Sequence, residues 1–412
     1  MTRSARALIG AAALVGAIFP GWLRAQQVSG GVSAMLVHDR VDPVPLGGAL
    51  GELRVIHPVA MVHAATLRGD LSFTGMANLE GLTLADGQLA PGVAGEGYAD
   101  RRHPHTYLHE AVVTFGRSGP SGSSVAWSIS AGKGFAPYGS DDPMSRPVIR
   151  YPVNHHLAQV LERLVGIAAV RAGPIGIEAA LFNGDEPDAP DQWPNAGRFG
   201  DSWSARLTLH PAAGLEVQGS LASVTSPEHR TGGGLDHEQQ SVSVRLEREI
   251  GTHRVYGLAE VARSDDDVVE LGSFLVEAAW STGRHQAHYR FERTERPEEQ
   301  RLSDPWRTPR PHHDFSNLGI TRWSLHTVGY AFDLPAGRGL ALVPLIELTV
   351  GRVHSPTPGS FDPHLFYGRD TFWTVSAGVR IGWGTRLHRM GRYGAAMERE
   401  PGLHGSGHEG AH

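Results

Sequence analysis

What most constrains this chain is a period-2 alternation of apolar and polar residues. It recurs along most of the length, in runs separated by connections of two sizes. In residues 372–384, Trp373, Val375, Ala377, Val379, Ile381 and Trp383 share one face, and Thr374, Ser376, Gly378, Arg380 and Gly382 share the other. Trp203, Ala205, Leu207 and Leu209 oppose Ser204, Arg206 and Thr208. Val242, Val244 and Leu246 oppose Ser241, Ser243, Arg245 and Glu247. Successive side chains on a strand point to opposite sides, so each run is a strand with one apolar and one polar face. A sandwich with its polar face in water or a membrane barrel with its apolar face in lipid would give this pattern. The runs are about 9–11 residues, long enough to cross a bilayer as tilted strands. Trp373 and Trp383 at the two ends of one apolar face fit the aromatic girdles of a barrel.

The connections favour the barrel. Short ones lie at 68–70, 116–123, 172–174, 211–214, 250–252, 281–283 and 334–339. Long ones alternate with them at 85–105, 133–155, 184–200, 225–237, 264–269, 294–317 and 355–370. Tight periplasmic turns alternating with longer extracellular loops are the asymmetry of outer-membrane barrels. With strands near 31–37, 58–67 and 71–84 at the start, the total is about sixteen, with 14–18 allowed, and an even count suits a bacterial single-chain barrel. The expected fold class is therefore all-β, a transmembrane antiparallel β-barrel. Two segments break the pattern. Leu157, Val160, Leu161, Leu164 and Val165 have helical spacing, which predicts a short helix before a strand or a bulged strand. Between Trp323 and Phe332 the alternation changes phase near His326, which predicts a β-bulge.

At 412 residues the chain is long enough for two or three soluble domains. Yet no linker, heptad or internal repeat divides it, and a β-propeller would need a repeat of about 40–50 residues. One closed wall of strands accounts for the length. Arg3 and Arg6, the apolar run 8–19 and Ala25 read as a secretory signal peptide over residues 1–25. That run is short of the roughly 20 residues a spanning helix needs. The barrel then occupies 26–384. Residues 385–412 form a flexible periplasmic tail that carries His404, His408 and His412. The expected location is a bacterial outer membrane, with lipid and the barrel-assembly machinery as partners. Lys and Arg number 37 against 43 Asp and Glu, a balance that rules out a basic nucleic-acid footprint. The absence of cysteine excludes a disulfide scaffold, Fe–S clusters and thiol catalysis.

Charged residues on the polar faces indicate function. Arg206, Glu216, Arg245, Glu247, His288, Arg290, Glu292, Glu347 and Arg380 all lie on polar strand faces. An arginine pointed at lipid at mid-bilayer costs roughly 2–4 kcal/mol, so these residues are expected to line the pore. Loop 133–155 is the expected inward-folded constriction, because a barrel this wide leaves an aqueous channel unless something plugs it. The acidic loop 184–201 carries Asp185, Glu186, Asp188, Asp191 and Asp201 against Arg198, which reads as loop solubility or as a bias towards cations. Porin-like passive diffusion of small solutes is the leading expectation.

The chain holds 23 histidines, and the segments 100–110 and 151–156 carry five of them close together. Both segments precede second-neighbour strands at the extracellular end. His103, His105, His155 and His156 are therefore candidate ligands for a transition metal, the alternative being hydrogen bonds that pin loops at the rim. No GxSxG, Walker A or dinucleotide fingerprint occurs, so no enzyme activity and no resident cofactor are expected. A barrel-embedded enzyme is the third reading, because His, Ser and Asp are present.

Asp100-Arg101-Arg102-His103-Pro104-His105 resembles the DRxHPH segment of a group of bacterial outer-membrane porin-like β-barrel proteins of uncharacterised activity. Residues 132–139, 154–156, 181–187 and 389–394 resemble that group as well. The resemblance implies a porin-like outer-membrane barrel. Some members are associated with metal-resistance contexts.

Overall fold

In the computed structural model each long strand pairs antiparallel with the long strands before and after it in sequence, and the first strand also pairs with the last. The model describes residues 27–397 apart from 43–47, 67–68, 84–104, 119–124, 141, 154, 161, 188, 228, 300–316, 338, 358–361 and 385–388. The signal segment 1–25, His103 and residues 398–412, with their three histidines, lie outside the described residues.

The strands are β1 (Gln27–Asp42), β2 (Leu50–Ala65), β3 (Leu71–Asn78), β4 (Leu108–Ser118), β5 (Val125–Gly134) and β6 (Arg163–Ala172). They continue with β7 (Ile175–Phe182), β8 (Ser202–Ala212), β9 (Leu215–Val224), β10 (His237–Ile250), β11 (His253–Asp265) and β12 (Glu270–Thr282). The last are β13 (His285–Glu299), β14 (Asn317–Phe332), the two-residue β15 (Leu334–Pro335), β16 (Leu340–His354) and β17 (Thr371–Gly384). Without β15, which only extends one turn, sixteen long strands form the wall. Closure runs from Gly31 opposite Gly384 to Asp42 opposite Trp373, so no edge is left to seek a partner. No described helix is long and apolar enough to cross a membrane; the chain crosses with strands.

Burial is inverted relative to a soluble protein. Ile129, Ile177, Leu207, Val244, Val261 and Leu348 point outward and are exposed. Their neighbours Ser128, Ser130, Glu178, Arg206, Ser243, Glu260 and Glu347 are buried inside. Hydrocarbon solvates the first set, and only the interior can satisfy the second. Exposed Trp127, Trp280 and Trp383 sit near the turn end of the barrel, and Trp203 sits near the loop end. Val244 lies midway along β10, between Val217 and Ala259 on the adjoining strands. A Val244→Arg variant is expected to lose about 2–4 kcal/mol of stability, checked by urea unfolding from phospholipid bilayers.

The interior also carries apolar clusters. Trp323 and Leu325 point inward with Val41, Val353 and Phe372, and they pack against Val153 and Tyr367 of two loops. This corrects the expected bulge near His326. The pairing of β14 with β13 runs without a shift from Phe332 back to Gly319, and its pairing with β16 is equally regular. The apparent phase change arises because β14 turns apolar residues inward near the loop end, where loops cover them. Segment 157–165 resolves as a one-turn helix, His155–Ala158, followed by β6.

Candidate functional site

Two segments enter the lumen. The first connects β5 to β6 over residues 135–162, and nearly all of its described residues are buried. At Gly139 the backbone has φ of +65° and approaches so closely that an added Cβ would lie 1.6 Å from the Ala158 carbonyl oxygen. This tight turn brings the Gly139 N–H to Ser220 Oγ at 2.9 Å, while Gln218 donates to its carbonyl. Further along, Ser140 bonds Glu260, and Arg146 reaches Ser140 Oγ at 2.9 Å and Glu277 at 3.4 Å. The Ile149 N–H donates to Glu347 Oε1 at 2.7 Å, and the Val153 N–H donates to Glu292 Oε2 at 2.8 Å. Arg150 pairs with Glu292, and its carbonyl accepts from Arg290, whose Nε donates to Glu277 at 2.7 Å.

His288 reaches Glu347 at 2.7 Å across an intervening strand. In register, His288 of β13 stands opposite Gly329 of β14, which stands opposite Glu347 of β16. A Cβ on Gly329 would lie 1.9 Å from His288 Nε2, so only glycine lets the imidazole pass over.

The second segment follows β17. Residues 389–397 lie inside the barrel against β4–β9, so the chain's contribution to the barrel does not stop at residue 384. Arg389 donates to both Glu216 oxygens at 2.8 and 2.9 Å, and Arg392 donates to Glu216 Oε1 at 2.9 Å. Arg206 holds Glu178 through two bonds of 2.6 and 2.7 Å and donates to the Gly391 carbonyl at 2.9 Å. Tyr393 bonds Glu110 and accepts from the Phe135 N–H at 3.1 Å; the Ala395 N–H donates to Ser128 Oγ at 2.9 Å. Phe135, Met144 and Tyr151 of the first segment meet Met390 of the second over Val59 and Met76 of the wall. A small cavity remains between them, with Tyr138, Asp142, Gln159 and Arg206 in its lining.

The expected pore-lining residues thus face inward, but most are engaged. Arg206, Glu216, Arg290, Glu292 and Glu347 are buried and hold the two inserted segments, and His288, also buried, holds Glu347. Arg245 and Glu247 pair with each other near the turn end, where they are partly exposed. Arg380 Nε lies 3.4 Å from Met35 Sδ. In the acidic loop, Arg163 takes Glu186 at 2.9 Å and Arg198 takes Asp201 at 2.7 Å. Asp185 lies between Arg198 and Arg230 at 3.8 and 3.9 Å. Those acids serve the loop's own structure.

At the extracellular end one carboxylate gathers several donors. Glu162, at the exit of the first lumenal segment, adopts φ of +56°, a left-handed conformation that costs a non-glycine residue roughly 1–3 kcal/mol. His109 Nδ1 lies 2.5 Å and His105 Nδ1 3.2 Å from Glu162 Oε1. Thr106 donates from its N–H at 3.0 Å and its hydroxyl at 2.6 Å to Oε2, and Lys133 Nζ is 3.3 Å from the same oxygen. Burial opposes the Glu162 charge, yet His109, His105 and Lys133 together hold its carboxyl well below the usual carboxylate range. Burial likewise opposes the charged His105 imidazole. The bond to Glu162 and the nearby Glu80 and Asp142 carboxylates outweigh that and push its pKa up to about 9.

Of the four histidines expected as ligands, the structure brings only His105 into this cluster. His103 lies outside the described residues, and His155 and His156 fall in the one-turn helix, where their side chains are not described. His109 and Glu162 were missed. The spacing of His105 and His109 hinted at a pair, but Glu162 was hidden inside a segment read only for its apolar periodicity.

No family model matches the chain, and no curated protein matches it. Solved structures do. It is similar to the anion-selective porin from Comamonas acidovorans, with a TM-score of 0.50 at 11 % identity, covering 87 % of this chain and 99 % of that one. It is also similar to OccK2 (OpdF) of Pseudomonas aeruginosa, with a TM-score of 0.44 at 12 % identity, covering 88 % of this chain and 99 % of that one. For OmpT, an outer membrane protein of Vibrio cholerae, the TM-score is 0.45 at 10 % identity, covering 86 % and 97 %. At 11 % identity the likeness to the anion-selective porin is one of fold. With its apolar exterior, paired edges and turn–loop asymmetry, the chain is an outer-membrane β-barrel of sixteen long strands and porin-like build.

Proposed function

We propose that this barrel is a porin-like channel that passes small hydrophilic solutes by diffusion, along a path narrowed by its two inserted segments. The supporting observation is a closed wall of sixteen long strands whose inner face is polar and charged. A barrel of that size encloses an aqueous lumen except where chain fills it. The solute path is what segments 135–162 and 389–397 leave free. Purified, folded protein in planar bilayers is expected to give discrete conductance steps of small amplitude. A folded barrel that gives no steps and does not swell sugar-loaded liposomes would overturn the proposal.

Charge selectivity is expected to be weak. Arg206 is paired with Glu178, Arg290 with Glu277, Arg150 with Glu292 and Arg389 with Glu216. Mixed signs at close range leave little net field along a path. A reversal potential near zero in a potassium chloride gradient is the expected measurement.

A further inference from the structure

The proposed channel gives no role to the cluster around Glu162. Its chemistry is that of a ligand set. His105, His109 and Glu162 each offer one donor atom, and these atoms lie within 4.8 Å of one another. The two imidazoles come from the entry to β4, and the carboxylate comes from the exit of the lumenal segment, so the wall and the segment each contribute. Both imidazoles turn Nδ1 towards the same carboxylate oxygen. A cation seated among the three atoms would replace the protons they now share. The other carboxylate oxygen is held by Thr106 and Lys133, which fixes the orientation of Oε1. His105 Nε2 lies 3.2 Å from the Tyr151 hydroxyl, the outer-shell contact a ligating histidine ordinarily has. His109 is fully buried, and its Nε2 has no hydrogen-bond partner.

We propose that His105, His109 and Glu162 bind one divalent transition-metal ion at the extracellular end of the lumen. Two neutral imidazoles and one carboxylate suit Zn(II), Ni(II) or Cu(II), with water completing the coordination. The Lys133 ammonium behind Glu162 opposes a second positive charge and keeps the affinity moderate. The bound ion ties the start of β4 to the end of the lumenal segment. The proposal is independent of the channel reading, since a barrel that conducts nothing still offers these three atoms.

The test uses the full-length folded barrel with His103, His404, His408 and His412 changed to alanine, which removes competing histidines. Calorimetric titration with Zn(II), Ni(II) and Cu(II) is expected to show one-to-one binding. The His105→Ala/His109→Ala double variant is expected to weaken it by about 100-fold or more, and Tyr151→Phe by about tenfold. His155→Ala/His156→Ala is expected to leave it unchanged. A one-to-one site that survives loss of His105 and His109, or a background protein that binds none of the three ions, overturns the proposal. Should the double variant not fold, Cu(II) electron paramagnetic resonance on the background protein decides. Coupling to two nitrogens is expected, and a signal from oxygen ligands alone overturns the proposal.

Discussion

Removing residues 385–412 is expected to raise single-channel conductance by about twofold or more, because it empties the half of the lumen that faces β4–β9. The truncated chain keeps all sixteen long strands and the closure of β1 on β17. The same result is expected without truncation from the Arg389→Ala/Arg392→Ala variant. Both arginines hold Glu216, and Arg392 also reaches Gln218 and Thr208, so their loss removes the segment's side-chain anchors to β9 and leaves the Arg206 bond to the Gly391 carbonyl as its tie to β8. Planar-bilayer recordings of the three proteins make the comparison. Equal conductance in all three would mean that the solute path runs elsewhere in the lumen. A variant that conducts less would mean that the segment props the path open.

The largest loss of stability is expected from Glu277→Ala. This carboxylate is fully enclosed and receives Arg290 at 2.7 Å, Arg146 at 3.4 Å and the Tyr256 hydroxyl at 3.1 Å. Truncating it takes from two buried guanidinium groups their nearest carboxylate, leaving Arg146 on Ser140 Oγ and Arg290 on the Arg150 carbonyl. Breaking a buried pair from one side costs roughly 3–5 kcal/mol, because the remaining charge keeps its desolvation penalty without its partner. Adding Arg290→Met is expected to recover part of that loss. Guanidinium unfolding of the two variants from detergent, followed by tryptophan fluorescence, supplies the measurement. A loss under about 1 kcal/mol would show that water reaches the site and takes over the role of Glu277.

The wall was legible in the sequence because two-sided strands leave a strong mark. Trp373 to Trp383 and Val242 to Leu246 alternate with few exceptions, and the structure puts their apolar sides on the exterior. The contents of the lumen were harder to read. An inserted segment has no period. It meets the wall through single residues such as Gly139, Arg150 and Tyr393, whose partners lie far away in sequence. The Trp323 to Phe332 stretch misled for the same reason, because Trp323 and Leu325 near the loop end face inserted chain while Val328 and Tyr330 further along face lipid. The role of the charged residues was not apparent from the sequence, since a residue that lines water and one that clamps a plug have the same strand position. The Glu162 cluster needed three dimensions: its carboxylate is separated from His109 by 53 positions.

The bonds from the lumenal segment to β16 also bear on the order of assembly. The Ile149 N–H waits for a carboxylate 198 residues further on, and the Val153 N–H for one 139 residues further on. Contacts this remote form late, because the entropy of closing so long a stretch of chain comes before any gain. Until β13 and β16 are in place, the segment has lost its strongest anchors on that side. The nascent barrel is therefore expected to pass through a wide-bore stage with the segment unseated, and to narrow only once its C-terminal strands have joined. An added protease during insertion would cut within 135–162 at that stage and spare the same peptide bonds in the finished barrel.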